Sequence, residues 1–368
     1  MMRIFVHEQI TAHGIGRDPD SPEHSLFVEG GAMLRAICED FAAIAGVEVL
    51  SGPPGEFAKL AAVADWSFII APETDGVLLK LAEEVLRVNG RLLGPGLEAI
   101  ALTSDKFALF QHWRSSGIPT PETVLCPELP GSWPCVVKRR DGAGSEGTRL
   151  VETVADYREL VGRGRVFVSR GRPACRRADL EDSTTPYENW IAQPLCAGQP
   201  ASIAFLVGPR AILGLPATYQ CISNDGQFRF GGGLVPIAPN LAVRAERLGR
   251  AALAGVKGLR GYIGVDLILG TSTDGRDDLV LEINPRLTTS YVGLRAYVDG
   301  NLAAQLLAMN LAGRRREPPN SGEPETIRQL TPPARRVAFS ATGGIRIDHS
   351  SEFWLDPSDF LTNRTFFL

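Results

Sequence analysis

The 368-residue sequence has little of what covalent side-chain chemistry needs. Its six cysteines are Cys38, Cys126, Cys135, Cys175, Cys196 and Cys221, and no two stand in a CxxC pair. None of the five histidines falls at zinc spacing from them. A zinc ribbon or a catalytic dithiol is therefore excluded, and reduced, buried thiols of a cytoplasmic protein are expected. No GxSxG elbow and no Cys/His nucleophile signature is found. No apolar run approaches the ~20 residues of a membrane span. Met1–Glu8 reads as a first strand cut off by charge, too short for the apolar core of a signal segment. Neither sign of charge dominates. With 38 Lys and Arg against 42 Asp and Glu, the formal net charge is -4, which points away from nucleic acid or an anionic membrane as partner. The clusters Arg139–Arg140, Arg176–Arg177 and Arg314–Arg316 are short and read as solvated surface. There is no internal repeat.

What is present is an ordinary globular composition, 44% hydrophobic and 22% charged, long enough for two or three domains. Up to about residue 100, short apolar runs at Arg3–His7, Val47–Leu50 and Trp66–Ala71 alternate with helical patterns. Leu26, Met33, Leu34, Ile37, Phe41 and Ile44 recur at three and four, which puts them on one helix face. A second helix is predicted at Gly76–Val88. Strand–helix alternation predicts a small parallel α/β sheet, ended by Gly94-Pro95-Gly96. Ser104 or Asp105 then caps a helix running to Ser116. Strands are predicted at Cys135–Arg139, Thr148–Val151, Arg165–Ser169, Asn189–Gln193, Ser202–Val207 and Ala211–Ala217. A helix at Leu241–Val256 leads to strands Gly261–Leu269 and Asp278–Ile283, then a helix at Asn301–Leu311. The stretch Arg314–Arg335 has the composition of a linker, and the residues beyond it could add a strand or two.

Two segments carry chemistry. In Val136-Val137-Lys138-Arg139-Arg140-Asp141-Gly142-Ala143-Gly144-Ser145-Glu146-Gly147 a strand delivers a lysine to a glycine-rich loop. Glycines let backbone N–H groups approach phosphate, and lysine adds a point charge. A hairpin turn with an exposed lysine is the plainer reading. The loop is not of the Walker form, because no GK[ST] ends it. In the second segment, Gly264–Leu269 and Leu279–Arg286 are apolar strands joined by a short turn, with a carboxylate in each. Glu282 and Asn284 are two apart and share a face. With Asp266 they could converge on one hard cation held jointly with nucleotide phosphates. Arg286, on the same face, could hold a phosphoryl oxygen. The plainer reading is a sheet-edge ion pair. His7, Glu8, His13, His24 and Glu73 lie at strand ends or in the first loop, where substrates of parallel sheets often sit; His13 reads more simply as surface. Gly231-Gly232-Gly233 reads as a turn or a close backbone approach.

Taken in order from Ser104 to about Asn310, these parts resemble the ATP-grasp superfamily. The resemblance implies an α/β fold with an N-terminal pre-ATP-grasp domain over residues 1–100. A first ATP-grasp subdomain would span 101–192 and a second, with the metal site, 193–313, followed by linker and tail over 314–368. It implies ATP bound by Lys106, Lys138, the loop residues Asp141, Gly142, Gly144, Ser145 and Gly147, and the hinge Gln193-Pro194-Leu195 within Trp190–Gly198. It implies Mg²⁺ or Mn²⁺ on Asp266, Glu282 and Asn284, and catalytic roles for Arg286 and Lys138. One departure stands out: many members carry an acidic residue for the ribose where this chain has Pro200, with Gln199 as a substitute.

Ser25–Phe41, Ile70–Thr74 with Leu79, and the hinge Gln193-Pro194 are similar, more narrowly, to the tyramine–glutamate ligases of methanofuran biosynthesis. That resemblance implies a γ-glutamyl amide formed with tyramine, tyrosine or a similar aromatic amine through an acyl phosphate. The partners would be small molecules, with no nucleic acid or membrane and with a homodimer left open. Another carboxylate ligase of the superfamily, such as a D-alanine–D-alanine or glutamate-adding type, stands as an alternative. So does a regulatory protein that binds nucleotide without turnover.

Overall fold

The structure is a computed structural model that describes residues 1–21, 23–162, 189–311 and 335–348. The N-terminal sheet holds β1 (Met2–Glu8), β2 (Val47–Leu50) and β3 (Trp66–Ile70), all parallel, in the order β2-β1-β3. Ile4 to Glu8 of β1 are buried without alternation, as a strand covered on both faces requires. Between β1 and β2 lie α1 (Gln9–His13) and α2 (His24–Ala42). The apolar stripe of α2 is buried at Met33, Ile37 and Phe41, and Phe41 meets Phe68 of β3 edge to face at 5.7 Å. Leu26 lies at the other end of the stripe, against Gly144. The opposite sheet face is covered by α3 (Phe57–Val63) and α4 (Val77–Arg87), with Phe57, Ala61, Leu78, Ala82 and Val85 buried.

Helices α5 (Leu97–Ser104) and α6 (Lys106–Ser115) follow. Of the two candidate caps it is Asp105 that serves, accepting from the backbone N–H of Phe107 and Ala108 at 3.1 and 3.0 Å. An antiparallel sheet comes next, ordered β4-β7-β5-β6 from β4 (Val124–Leu125), β5 (Cys135–Arg139), β6 (Arg149–Val151) and, after α7 (Val154–Gly162), β7 (Trp190–Pro194). The largest sheet is antiparallel and runs β13-β12-β8-β10-β11-β14-β15, with β9 paired to β8. Its strands are β8 (Gln199–Val207), β9 (Ile212–Gly214), β10 (Thr218–Ile222), β11 (Phe230–Val235), β12 (Gly261–Leu269), β13 (Leu279–Asn284), β14 (Arg336–Ser340) and β15 (Ile345–Asp348). Helix α8 (Pro239–Leu253) covers one face; α9 (Ser290–Tyr297) and α10 (Leu302–Leu311) lie on the other.

The core on that second face does not stop at the large sheet. Ile4, Val6, Met33, Ile37 and Phe68 of the N-terminal unit form one buried cluster with Leu206, Tyr262, Tyr291, Leu302 and Leu306. A polar clamp lies beside it. Asp40 of α2 accepts from the Tyr291 hydroxyl at 2.5 Å and from Arg295 at 2.6 Å, and its carbonyl accepts from Asn301 at 2.6 Å. The N-terminal unit is thereby fixed against α9, close in sequence to Arg286.

The long periodic elements stand where the sequence predicts them, within three residues. Strand β9 is shorter than the run Ala211–Ala217, and β10 and β11 are additions to the predicted set. Gly231-Gly232-Gly233 is not a turn but the start of β11, and the close approach is real: a Cβ on Gly232 would stand 2.1 Å from the Phe339 carbonyl oxygen. The predicted strand Arg165–Ser169, the clusters Arg176–Arg177 and Arg314–Arg316, Cys175 and all but the last residue of the linker lie outside the described residues. Beyond them, β14 and β15 join the large sheet. Among the described residues no helix is long and apolar enough to cross a membrane.

Gly232 has φ +142 and no room for a methyl group. Gly232→Ala is expected to cost about 1–3 kcal/mol through overpacking, read as a lower urea midpoint. An unchanged midpoint would mean that β11 and β14 part at little cost.

Candidate active site

A cavity of about 330 Å³ is lined from both antiparallel sheets and from one residue of α2. Its acidic wall comes from the hairpin β12–β13. Asp266 pairs directly with Glu282, while Leu267 pairs with Val280, so Leu281 is the extra residue of a bulge. Directly opposed residues on antiparallel strands point the same way, which sets two carboxylates side by side. Burial and the neighbouring Glu282 charge push the Asp266 carboxyl well up. Burial works the same way on Glu282, but Lys106 and Lys138 outweigh it and hold that carboxyl well below its ordinary range. The two carboxyls are thus pushed in opposite directions, and negative charge is favoured on Glu282 over Asp266. Gln220 and Asn284 donate to the two Asp266 oxygens at 2.8 and 3.0 Å.

Two lysines stand beside these carboxylates. Lys106 opens α6 and is only 9% exposed; its ammonium lies 3.1 Å from Glu282 Oε2 and donates to the Gly142 carbonyl at 2.5 Å. Lys138, the fourth residue of β5, lines the same space. Burial pulls its ammonium down to about 8 against the attraction of Glu282.

The glycine-rich loop turns at Gly144 and Ser145, which have φ of +64 and +61, a geometry that gathers backbone N–H groups into an anion-binding concavity. Gly142, Gly144 and Ser145 line the cavity, and Ser145 is anchored by donating to the Phe228 carbonyl at 2.7 Å. Two expected loop residues do not line it. Asp141 faces the N-terminal unit, accepting from Arg139 at 3.0 Å and from the backbone N–H of Asp75 at 2.8 Å. Gly147 packs on the Trp190 ring instead, where a Cβ would come within 2.7 Å.

The hinge residues Gln193, Pro194 and Leu195 line the cavity, as do Val136, Ile222, Phe228, Ile268 and Leu281, which make an apolar slot. The Gln193 amide itself donates to Thr123 at 2.8 Å. Pro200 lines the cavity at the position expected to hold a ribose, and the Gln199 amide donates to the Pro200 carbonyl at 3.2 Å. Arg286 also lines the cavity but is not free. Its Nε and Nη2 donate to the two oxygens of Glu73 at 3.0 and 3.1 Å, and Nη1 donates to the Leu287 carbonyl at 3.2 Å. Glu73, the residue after Pro72 just beyond the end of β3, is thus the counter-ion of Arg286. His7 is buried and bonded to Gln9, and both Glu8 oxygens cap α1. Gln220 carries no motif in the sequence, and Glu29 stands within the Ser25–Phe41 resemblance with no site role read for it; the fold brings both to the cavity wall.

Two carboxylates set side by side are a pair that a hard cation can stabilise, and an adjacent amide adds an oxygen donor. Among the described residues no cluster of three or more His, Cys, Asp or Glu side chains could hold a metal. An ion at Asp266, Glu282 and Asn284 would therefore need further oxygens from water or phosphate, which is how magnesium is ordinarily held beside nucleotides.

The chain matches the ATP-grasp domain family over residues 103–290 and the pre ATP-grasp 3 domain over residues 38–100. It is 26% identical over 232 residues to a tyramine–L-glutamate ligase of Methanocaldococcus fervens, covering 63% of this chain and 62% of that protein. The same named ligase of Methanocaldococcus jannaschii matches at 26% over 231 residues, covering 63% of this chain and 58% of that protein. The match spans less than two thirds of either relative. Among solved structures, an ATP-grasp superfamily protein from Archaeoglobus fulgidus superposes with a TM-score of 0.62 at 23% identity, covering 92% of both chains. An L-amino acid ligase from Bacillus licheniformis superposes with a TM-score of 0.59 at 15% identity, over 92% of this chain and 79% of that one. Both likenesses are of fold.

Glu73→Ala would leave Arg286 buried without its counter-ion. A loss of about 3–5 kcal/mol in unfolding free energy is expected, measured by urea denaturation. A loss within experimental error would mean that the pair does not join the N-terminal unit to the large sheet.

Proposed function

The chain belongs to the ATP-grasp family, and on that premise we propose that it is an ADP-forming carboxylate–amine ligase. We assign it the γ-carboxylate of glutamate as acyl donor and tyramine, tyrosine or a similar aromatic amine as acceptor, in the cytoplasmic synthesis of a methanofuran-type C1 carrier. The observation that carries the ligase reading is the gathering, in one cavity, of Lys106 and Lys138 with Asp266, Glu282 and Asn284. The substrate reading is supported by the relatives whose names give tyramine and glutamate.

In this reading the adenine lies in the apolar slot at the hinge, and the loop N–H groups at Gly142–Ser145 take the phosphates. Lys106 and Lys138 balance the phosphate charge. Magnesium or manganese, when bound by Asp266, Glu282 and Asn284, supplies further neutralisation of the transferring group. A carboxylate oxygen of the donor attacks the γ-phosphorus, the bond to the bridging oxygen breaks, and ADP leaves. The amine nitrogen then attacks the acyl carbon and displaces phosphate, releasing the surplus proton. Arg286 has N–H groups beyond the three given to Glu73 and Leu287. Those would hold a phosphoryl oxygen of the acyl phosphate. No side-chain nucleophile is required, and a closed loop limits hydrolysis of the intermediate.

Glu282→Gln and Asp266→Asn are each expected to lower turnover by about 100-fold or more at saturating magnesium, in protein that remains folded by circular dichroism. Wild-type rates in both would remove the metal assignment. Lys138→Ala is expected to weaken ATP binding by about tenfold or more, measured by calorimetry, and an unchanged affinity would leave Lys138 a structural residue.

The substrate assignment is tested by ADP release. Release should require glutamate, hydroxylamine should trap a glutamyl hydroxamate, and mass spectrometry of a panel of amines should give the γ-glutamyl amide. ADP release with alanine, aspartate or a dipeptide but not with glutamate would overturn the substrate assignment and leave the ligase reading standing.

A further inference from the structure

Among the described residues, Glu29 is the only one before position 100 that lines the cavity. It sits on α2, and its Oε1 accepts from the Thr289 hydroxyl. Among the described residues no Lys, Arg or His forms an ion pair with it. The nearby charges are already committed: Arg286 to Glu73, and both oxygens of Glu8 to the N–H groups of Ile10 and Thr11. Burial pushes the Glu29 carboxyl up, and the Thr289 bond and the Arg286 charge only partly oppose this. Around Arg286, carboxylates therefore outnumber cations. A half-buried carboxylate without a counter-ion is costly, which favours a cation taken from outside.

We infer that Glu29 receives the ammonium group of an amino substrate, resting on the ligase reading above. The surroundings favour an ammonium over a metal. Of the neighbouring carboxylates Glu8 and Glu73 are already bonded, which leaves Glu29, and the nearby guanidinium of Arg286 would oppose a divalent charge. Thr288, Thr289 and Ser290 line the cavity beside Glu29. The hydroxyls of Thr288 and Ser290 lie 2.8 Å apart and reach Tyr262 at 3.2 and 3.1 Å. Hydroxyl oxygens with spare lone pairs, set round one carboxylate, match the three N–H donors of a primary ammonium. The group received is either the ammonium of the acceptor amine or the α-ammonium of the donor amino acid.

The experiment is steady-state kinetics of wild type and Glu29→Gln with two nucleophiles, tyramine and hydroxylamine, the latter uncharged at neutral pH. If Glu29 holds the acceptor, the KM for tyramine rises by about tenfold while hydroxamate formation is unchanged. If it holds the donor, the KM for glutamate rises in both assays. Unaltered KM values for both substrates in folded Glu29→Gln overturn the inference. Thr289→Val, which removes the hydroxyl and keeps the volume, repeats the test if Glu29→Gln does not fold. Should wild type release no ADP with any substrate pair, the functional reading fails by itself. Calorimetric titration of tyramine and of glutamate into both proteins then decides the inference, which is overturned if Glu29→Gln binds both as wild type does.

Discussion

Asp266 and Glu282 stand opposite one another on neighbouring strands, and the repulsion between them has to be answered by other groups. Each answer comes from a different part of the chain. Lys106 comes from the first turn of α6 and Lys138 from the small antiparallel sheet, while Gln220 donates from β10 and Asn284 from β13. A carboxylate pair on one hairpin thus calls for groups from both antiparallel sheets. It also explains how a cavity can hold these charges: each carboxyl has a protein partner in direct contact.

The elements that can be read from the sequence are those whose signals are local. Asp105 caps α6 through N–H groups two and three residues away, and β12 and β13 are apolar runs around a short turn. Both place a functional group, Lys106 in the first case and Asp266 with Glu282 in the second. Strand β11 is hidden in the sequence because three glycines in succession offer no side-chain alternation, and only the carbonyls of Phe339 and Tyr219 show why they are small.

Partners distant in the chain cannot be read in this way. Arg286 and Glu73 are 213 residues apart, and Thr289 and Glu29 are 260 apart. Asp141 looks like one more polar residue in a phosphate loop. It turns outward because Arg139 and the Asp75 N–H, 66 residues before it, offer it better partners than a cavity that already has carboxylates. Local pattern gives the residue types that chemistry needs; which way each one faces is decided by packing between units.

The apolar cluster that runs from β1 and α2 into α9 and α10 bears on how such a protein can be inherited. A boundary near residue 100 is easy to draw along the chain, yet Tyr291, Leu302 and Leu306 share a core with Met33 and Ile37. Exchanging the N-terminal unit for that of another family member would have to match that surface side chain by side chain. New specificity would then arise more readily by single substitutions in the wall that α2 presents than by recombination of whole modules.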